Sequence, residues 1–214
     1  MFGTYRIFVL FVLILSISLL FSGCLGIMKS KEDYYKEAKE LIQQGSIEIK
    51  TGIDEMSEVL HILQSKDILK EKEIESPHFD ISVGDKDINP NVKITKRKIY
   101  YLDTTFIPKC SDWCIEVASK AKKASERIST GQSKASKAVK IFWKIGSDNE
   151  AKAITRTITA NNNIYWLSEL GDKISKAFES LNKGDSDKYK SYLEAANQIL
   201  VDWLQYDPFS ISIH

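Results

Sequence analysis

The chain predicts an all-α fold, an antiparallel up-and-down helical bundle of four to five helices with a small β-like insertion. Two observations predict it. Four segments repeat apolar or small residues in alternating steps of four and three, the seam of a packed helix. One stretch between them, from Pro77 to Cys110, loses that period. Composition agrees. Four Pro and ten Gly in 214 residues are too few for a many-turned β fold, and 43% apolar with 28% charged residues excludes wholesale disorder.

Taken in order, a short first helix is expected over 31–44, with Tyr34, Ala38 and Leu41 inward. A second is expected over 46–75 from the run Ile49, Ile53, Met56, Leu60, Leu63. In the insertion at 77–110, Phe79, Ile81 and Val83 alternate, as do Val92 and Ile94. Ile99 to Leu102, with Phe106 and Ile107, has strand composition. A third helix over 112–146 carries the longest seam: Val117, Ala121, Ala124, Ile128, Gly131, Ala135, Ala138, Phe142, Ile145. A fourth, over 149–182, reads Ala153, Thr157, Ala160, Ile164, Leu167, Gly171, Ile174, Phe178, Leu181. A fifth, over 186–206, reads Tyr189, Leu193, Ala196, Leu200, Trp203. Gly45-Ser46, Gly146-Ser147 and Gly184-Asp185 are read as stop-and-start pairs, and Ser147 with Glu150 as a capping box. Short connections force consecutive helices antiparallel. Small residues in the two long seams let backbones approach closely, and Ser119, Ser125, Ser129, Ser133 and Ser136 widen that surface for a second neighbour or another copy.

The first 24 residues form a signal or membrane-anchor segment ahead of a bundle domain at 25–214. Ile7 to Met28 carry no charge, Arg6 precedes them, and toward its end the stretch reads Leu20-Phe21-Ser22-Gly23-Cys24. The small pair Ser22-Gly23 before a cysteine resembles the lipobox of bacterial and archaeal lipoproteins. That resemblance covers the first 24 residues and implies cleavage before Cys24, whose thiol then receives a lipid; Phe21 stands where a small or medium aliphatic residue is usual. Uncleaved, the same stretch is long enough to span roughly 30 Å of hydrocarbon as one helix. Lys29, Lys31, Lys36 and Lys39 after the span would then favour a cytoplasmic domain. The apolar run behind a short basic start favours export.

With Cys24 assigned to a lipid, Cys110 and Cys114 remain as a candidate disulfide or as two small apolar residues of a helix wall. Formal net charge is +1, so no global pull on nucleic acid is expected. Locally the balance fails, with 8 basic and 15 acidic residues over 30–92 and 13 and 4 over 93–146. Lys120, Arg127 and Lys134, with Lys123, Lys137 and Lys144 beside them, draw one basic stripe. It is read either as an anion-binding face or as the partner of acidic residues on the first two helices.

Other motifs are incomplete. Asp85, Asp87 and Asn89 open like a calcium loop, but Pro90 and Lys96 stand where glycine and a bidentate glutamate are needed. Glu58 and His61 have the spacing of a di-iron pair without the second pair such sites require. Trp143, Tyr165, Trp166, Trp203, Tyr206 and Phe209 could line a pocket or cap the core. No nucleophile-and-base pattern is visible, and no metal or cofactor is expected. The expectation is a membrane-attached, outward-facing, non-enzymatic interaction or scaffold module with a protein partner or self-association. The alternatives are a ligand-binding or sensory bundle and a single-pass protein with a cytoplasmic domain.

Overall fold

The computed structural model describes residues 29–80, 91–202 and 204. It is a mostly helical bundle with one small antiparallel sheet. The order is α1 (Lys31–Ser65), β1 (Leu69–Asp80), β2 (Asn91–Leu102), α2 (Asp112–Lys144), α3 (Asp148–Ile154), a π-helical segment (Thr155–Thr159), α4 (Asn162–Asn182) and α5 (Ser186–Asp202).

α1 is one helix of 35 residues, so the expected break at Gly45-Ser46 does not occur. Gly45 is buried inside it, where a Cβ would lie 2.8 Å from the Gly131 carbonyl oxygen of α2. A glycine costs a helix interior about 1 kcal/mol relative to Ala. Here its absent side chain admits the neighbouring backbone, as Gly52 does beside the Ala124 carbonyl and Gly171 beside that of Ala121. The helix starts sharply. Ser30 is extended, its hydroxyl accepts from the Asp33 amide at 3.1 Å, and the Asp33 carboxylate accepts from the Ser30 amide at 2.9 Å.

The second expected helix also ends early, at Ser65 rather than 75. Asp67 takes a left-handed φ of 58° and turns the chain, and residues 69–75 become β1. The insertion is therefore a ribbon longer than expected, paired in register from Leu69 opposite Leu102 to Asp80 opposite Asn91. Its root is part of the core, since Ile68, Leu69 and Leu102 are buried. Glu71, Lys72, Glu73, Glu75, Lys96 and Lys98 farther out are exposed.

α2 runs antiparallel to α1 and is the axis on which α1, α3 and α4 pack, while α5 packs on α4 and against β2. Its seam is buried at every expected position from Val117 to Phe142. Gly146 (φ 74°) and Gly184 (φ 77°) close α2 and α4 in the left-handed conformation expected of them. The Ser147 box does not form. Ser147 makes no side-chain cap bond, and Glu150 instead accepts from the Tyr35 hydroxyl at 3.3 Å.

The expected fourth helix is interrupted. The π segment adds one residue to a turn and rotates what precedes it. Ala151 and Ile158 are buried while Ala153, Thr157 and Ala160 face solvent. From Ile164 onward the expected seam is buried through Leu181. In α5, Tyr189, Leu193, Ala196 and Leu200 point inward. Trp203, Tyr206 and Phe209 lie outside the described residues, as do Cys24, the apolar run 7–28 and the Asp85, Asp87, Asn89 triplet.

The main core runs from Ile49 of α1 to Leu204, and a smaller cluster of Ala38, Ala138, Phe142 and Ala151 closes the bundle near the start of α1. Edge-on contacts of Tyr35 with Phe142 and of Phe178 with Tyr189 and Trp113 hold the two ends.

Candidate interaction surface

At the end of the bundle opposite Ser30, β2 returns to α2 through residues 103–111. Sequence supplies this loop with turn chemistry. Asp103 accepts from the Thr105 amide at 3.0 Å and hydroxyl at 2.6 Å, a local turn that Asp-Thr-Thr favours. Lys70 of β1 donates to its other oxygen at 2.7 Å. With Lys70 first and Thr105 second, these bonds hold the Asp103 carboxyl at about 2, against an ordinary 3.8.

Longer-range bonds fix the loop to the bundle. The Asp103 amide donates to the Ile68 carbonyl at 2.8 Å, and the Leu102 amide to Oδ1 of Asn197 on α5 at 2.7 Å. The buried Tyr189 hydroxyl donates to the Phe106 carbonyl at 3.4 Å, and burial pushes its pKa well above the ordinary tyrosine value. Cys110 and Cys114 are joined in a disulfide across the start of α2, their Cα atoms 5.6 Å apart. Next to it, Trp113 meets the ring of Phe178 edge-on and lies beneath the Lys66 ammonium at 5.5 Å.

On this braced frame apolar side chains face solvent. Phe106 is 43% exposed, Ile107 42% and Ile115 60%. Seven large apolar residues among those described are exposed to this degree, and these three lie within ten positions of chain around the disulfide. The others, Ile47, Trp143, Tyr165 and Val201, are dispersed.

The basic stripe meets acidic residues of α1. Lys120 pairs with Glu58 at 2.8 Å and with Glu116 at 3.1 Å, and Lys123 with Glu55 at 2.9 Å. Arg127 bridges Glu48 at 2.9 Å and Glu55 at 3.3 Å, and Lys134 approaches Glu48 at 3.7 Å. Lys144 donates to the Tyr34 hydroxyl at 3.0 Å. Four members of the stripe, Lys120, Lys123, Arg127 and Lys134, are thus paired with carboxylates of the molecule itself, which reduces the field they offer an anion. Lys137 is exposed. Glu58, engaged by Lys120, is not held toward a metal, and no cluster of three or more metal-ligating side chains occurs among the described residues.

Tyr165 and Trp166 stack edge-on, centroids 4.9 Å apart, with Tyr165 half-exposed. Grooves beside α4 are lined mostly by charged and hydroxyl-bearing side chains. Ser125, Ser129, Ser168, Asp172 and Lys176 line one such groove between α2 and α4. Burial pushes the Asp172 carboxyl up, but Lys176 at 2.7 Å and Lys173 at 3.1 Å hold it below the ordinary value. Asp172 is thus an ion-pair member and not a poised acid.

Sequence spacing had no means of finding Asn197, which reaches Leu102 across 95 positions of chain. Compared with known proteins, the chain matches no family model, no curated protein and no solved structure. No helix among the described residues is long and apolar enough to cross a membrane.

Proposed function

We propose that this chain is a non-enzymatic module attached to the outer face of the cell membrane, through a lipid on Cys24 or through residues 7–28 as a retained helix, and that it engages a protein partner through the end remote from that attachment. The observation that carries this reading is the concentration of exposed Phe106 and Ile107 on the loop, and of Ile115 in the first turn of α2, around the Cys110–Cys114 disulfide and beside bonds to α5. Rigid, solvent-facing apolar side chains suit protein contacts, because little conformational entropy is lost when they are covered. A disulfide fits an oxidising compartment, which supports the outward placement. α2, with 33 residues, is about 50 Å long at 1.5 Å per residue, so the bundle itself separates its two ends by that reach.

The test is photo-crosslinking in intact cells, with the reactive group at position 107 or 115 and, as a control, at the exposed Lys50 of α1. A discrete protein adduct from 107 and 115 and none from 50 is expected. Equal labelling from all three positions, or none from 107 and 115, would remove the partner-binding end. Outward placement is checked separately by a membrane-impermeant protease added to sealed cells. Complete protection of the domain would show it to be cytoplasmic.

A further inference from the structure

We propose that the end of the bundle next to the N-terminal segment is a lipid-facing surface, seated in the membrane–water interface through Trp143. The inference rests on the membrane attachment proposed above and adds to it a specific contact made by the folded domain. The occupant is a bilayer surface, and the position of the undescribed N-terminal chain is what identifies it. The uncharged run ends at Met28, and α1 begins at Lys31 behind the Ser30 cap. If Cys24 carries the lipid, six residues to Ser30 span at most about 20 Å when fully extended. If the run is retained as a helix, only Lys29 intervenes before that cap. Either tether holds this end of the bundle against the bilayer surface.

Aromatic and lysine side chains at this end suit an interface, and they stand beside exposed Glu32, Asp33 and Asp148 and the Lys29–Glu37 ion pair at 2.9 Å. Trp143, in the last turn of α2, is 46% exposed although the seam residue Phe142 beside it is buried. The next residue, Lys144, reaches the cap turn of α1, its Nζ 4.4 Å from the Tyr34 ring centroid. Lys29 approaches the same ring from the tether side at 5.9 Å, and Lys39 lies over the Tyr35 ring at 4.8 Å. Tryptophan and tyrosine favour the headgroup level, where an apolar ring and its polar edge are both accommodated. Lysines beside them lay their stems along the apolar zone and keep the ammonium in water. A half-exposed tryptophan next to an anchored tether is accounted for by insertion at that depth.

The extended Ser30 and its box also end α1 at the tether, so the bundle is not forced to continue the direction of any preceding helix and can settle on the face that Trp143 presents.

The test uses the full chain reconstituted into vesicles of phosphatidylcholine and phosphatidylglycerol brominated on the acyl chains, compared with the same lipids unbrominated. Bromine quenches only tryptophans at or below the interface. Wild-type protein that floats with the vesicles should lose part of its emission, and Trp143→Phe, with unchanged helical circular dichroism, should lose none beyond the background of the other three tryptophans. If both proteins float and are quenched equally, or neither is quenched, the seated end is wrong although attachment stands. If neither floats, the attachment itself fails and the contact falls with it.

Discussion

Gly131 of α2 and Gly45 of α1 face each other so closely that a Cβ at position 131 would lie 2.5 Å from the Gly45 carbonyl oxygen. It would also lie 2.5 Å from Cγ1 of Ile49. The side chain of Ile49 could give way, but the backbone of α1 could do so only by moving the helix. Gly131→Ala gains about 1 kcal/mol of helix propensity and, because a backbone must move, incurs an overpacking penalty in the upper part of the usual range, about 2 to 3 kcal/mol. The expected net effect is a loss of about 1 to 2 kcal/mol in chemical denaturation, while Gln43→Ala on the exposed side of α1 stays within about 0.5 kcal/mol. Equal stability of the two variants would mean that the helices are not in glycine contact.

Cys110 is exposed and Cys114 fully buried, so the bridge ties a surface loop to the first turn of α2. In a short loop the chain-entropy contribution of a disulfide is about 2 kcal/mol. Cys110→Ser is expected to lower stability by up to that amount. Hydrogen exchange should quicken in residues 112–118 and hardly change in α4. Uniform acceleration across all helices would show instead that the bridge supports the whole bundle.

Asp103 is held at about 2, below its ordinary 3.8, by Lys70 and Thr105. A carboxylate whose folded pKa is depressed contributes stability above the unfolded value and loses it as pH falls through the folded one. The stability difference between wild type and Asp103→Asn should therefore be constant above about pH 5 and shrink between about pH 4 and pH 2. A difference independent of pH over that window would assign the Asp103 contribution to packing rather than to charge.

If Glu48, Glu55 and Glu58 neutralise the basic stripe, their removal should expose it. The variant Glu48→Gln, Glu55→Gln, Glu58→Gln is expected to need more salt to elute from a polyanion resin than a variant with the same change in net charge elsewhere, Glu32→Gln, Glu73→Gln, Glu194→Gln. Coelution of the two would mean that Lys120, Lys123 and Arg127 present no concentrated field even when unpaired.

Much of the bundle was legible because seams are local. From Val117 to Phe142 every position of a single period is buried in α2, Ala118 being the one buried residue of that stretch outside it, and Gly146 and Gly184 mark real ends. Gly45 misled because one residue type serves two purposes. It ends a helix when its φ is positive and admits a neighbouring backbone when it is not, and only the presence of Gly131 across the interface decides which. Residues 69–75 misled for a related reason. Lys70-Glu71-Lys72-Glu73 has no period of its own and becomes a strand only through pairing with 96–102. The reversed face at Ala153, Thr157 and Ala160 follows from the π segment, an insertion of phase that a strict four-and-three pattern cannot represent. At the remote end, the candidate bridge was visible in spacing, whereas the support of the loop by Asn197 and Tyr189 depends on partners far away in sequence.

The bond from the Asp103 amide to the Ile68 carbonyl brings the two feet of the ribbon to one hydrogen bond's separation, at 2.8 Å. A segment whose ends already meet imposes almost no geometric demand on what lies between them. The bundle below is closed by Gly45 and Gly131, Gly52 and Ala124, and Gly171 and Ala121, none of which belongs to the ribbon. Beyond Lys70, which holds Asp103, and before Tyr100, which packs on the core, the ribbon is therefore an interchangeable cassette. Hairpins of other lengths can be plugged between Lys70 and Tyr100 while the scaffold stays the same, so what is displayed there can change without reinventing how the bundle folds.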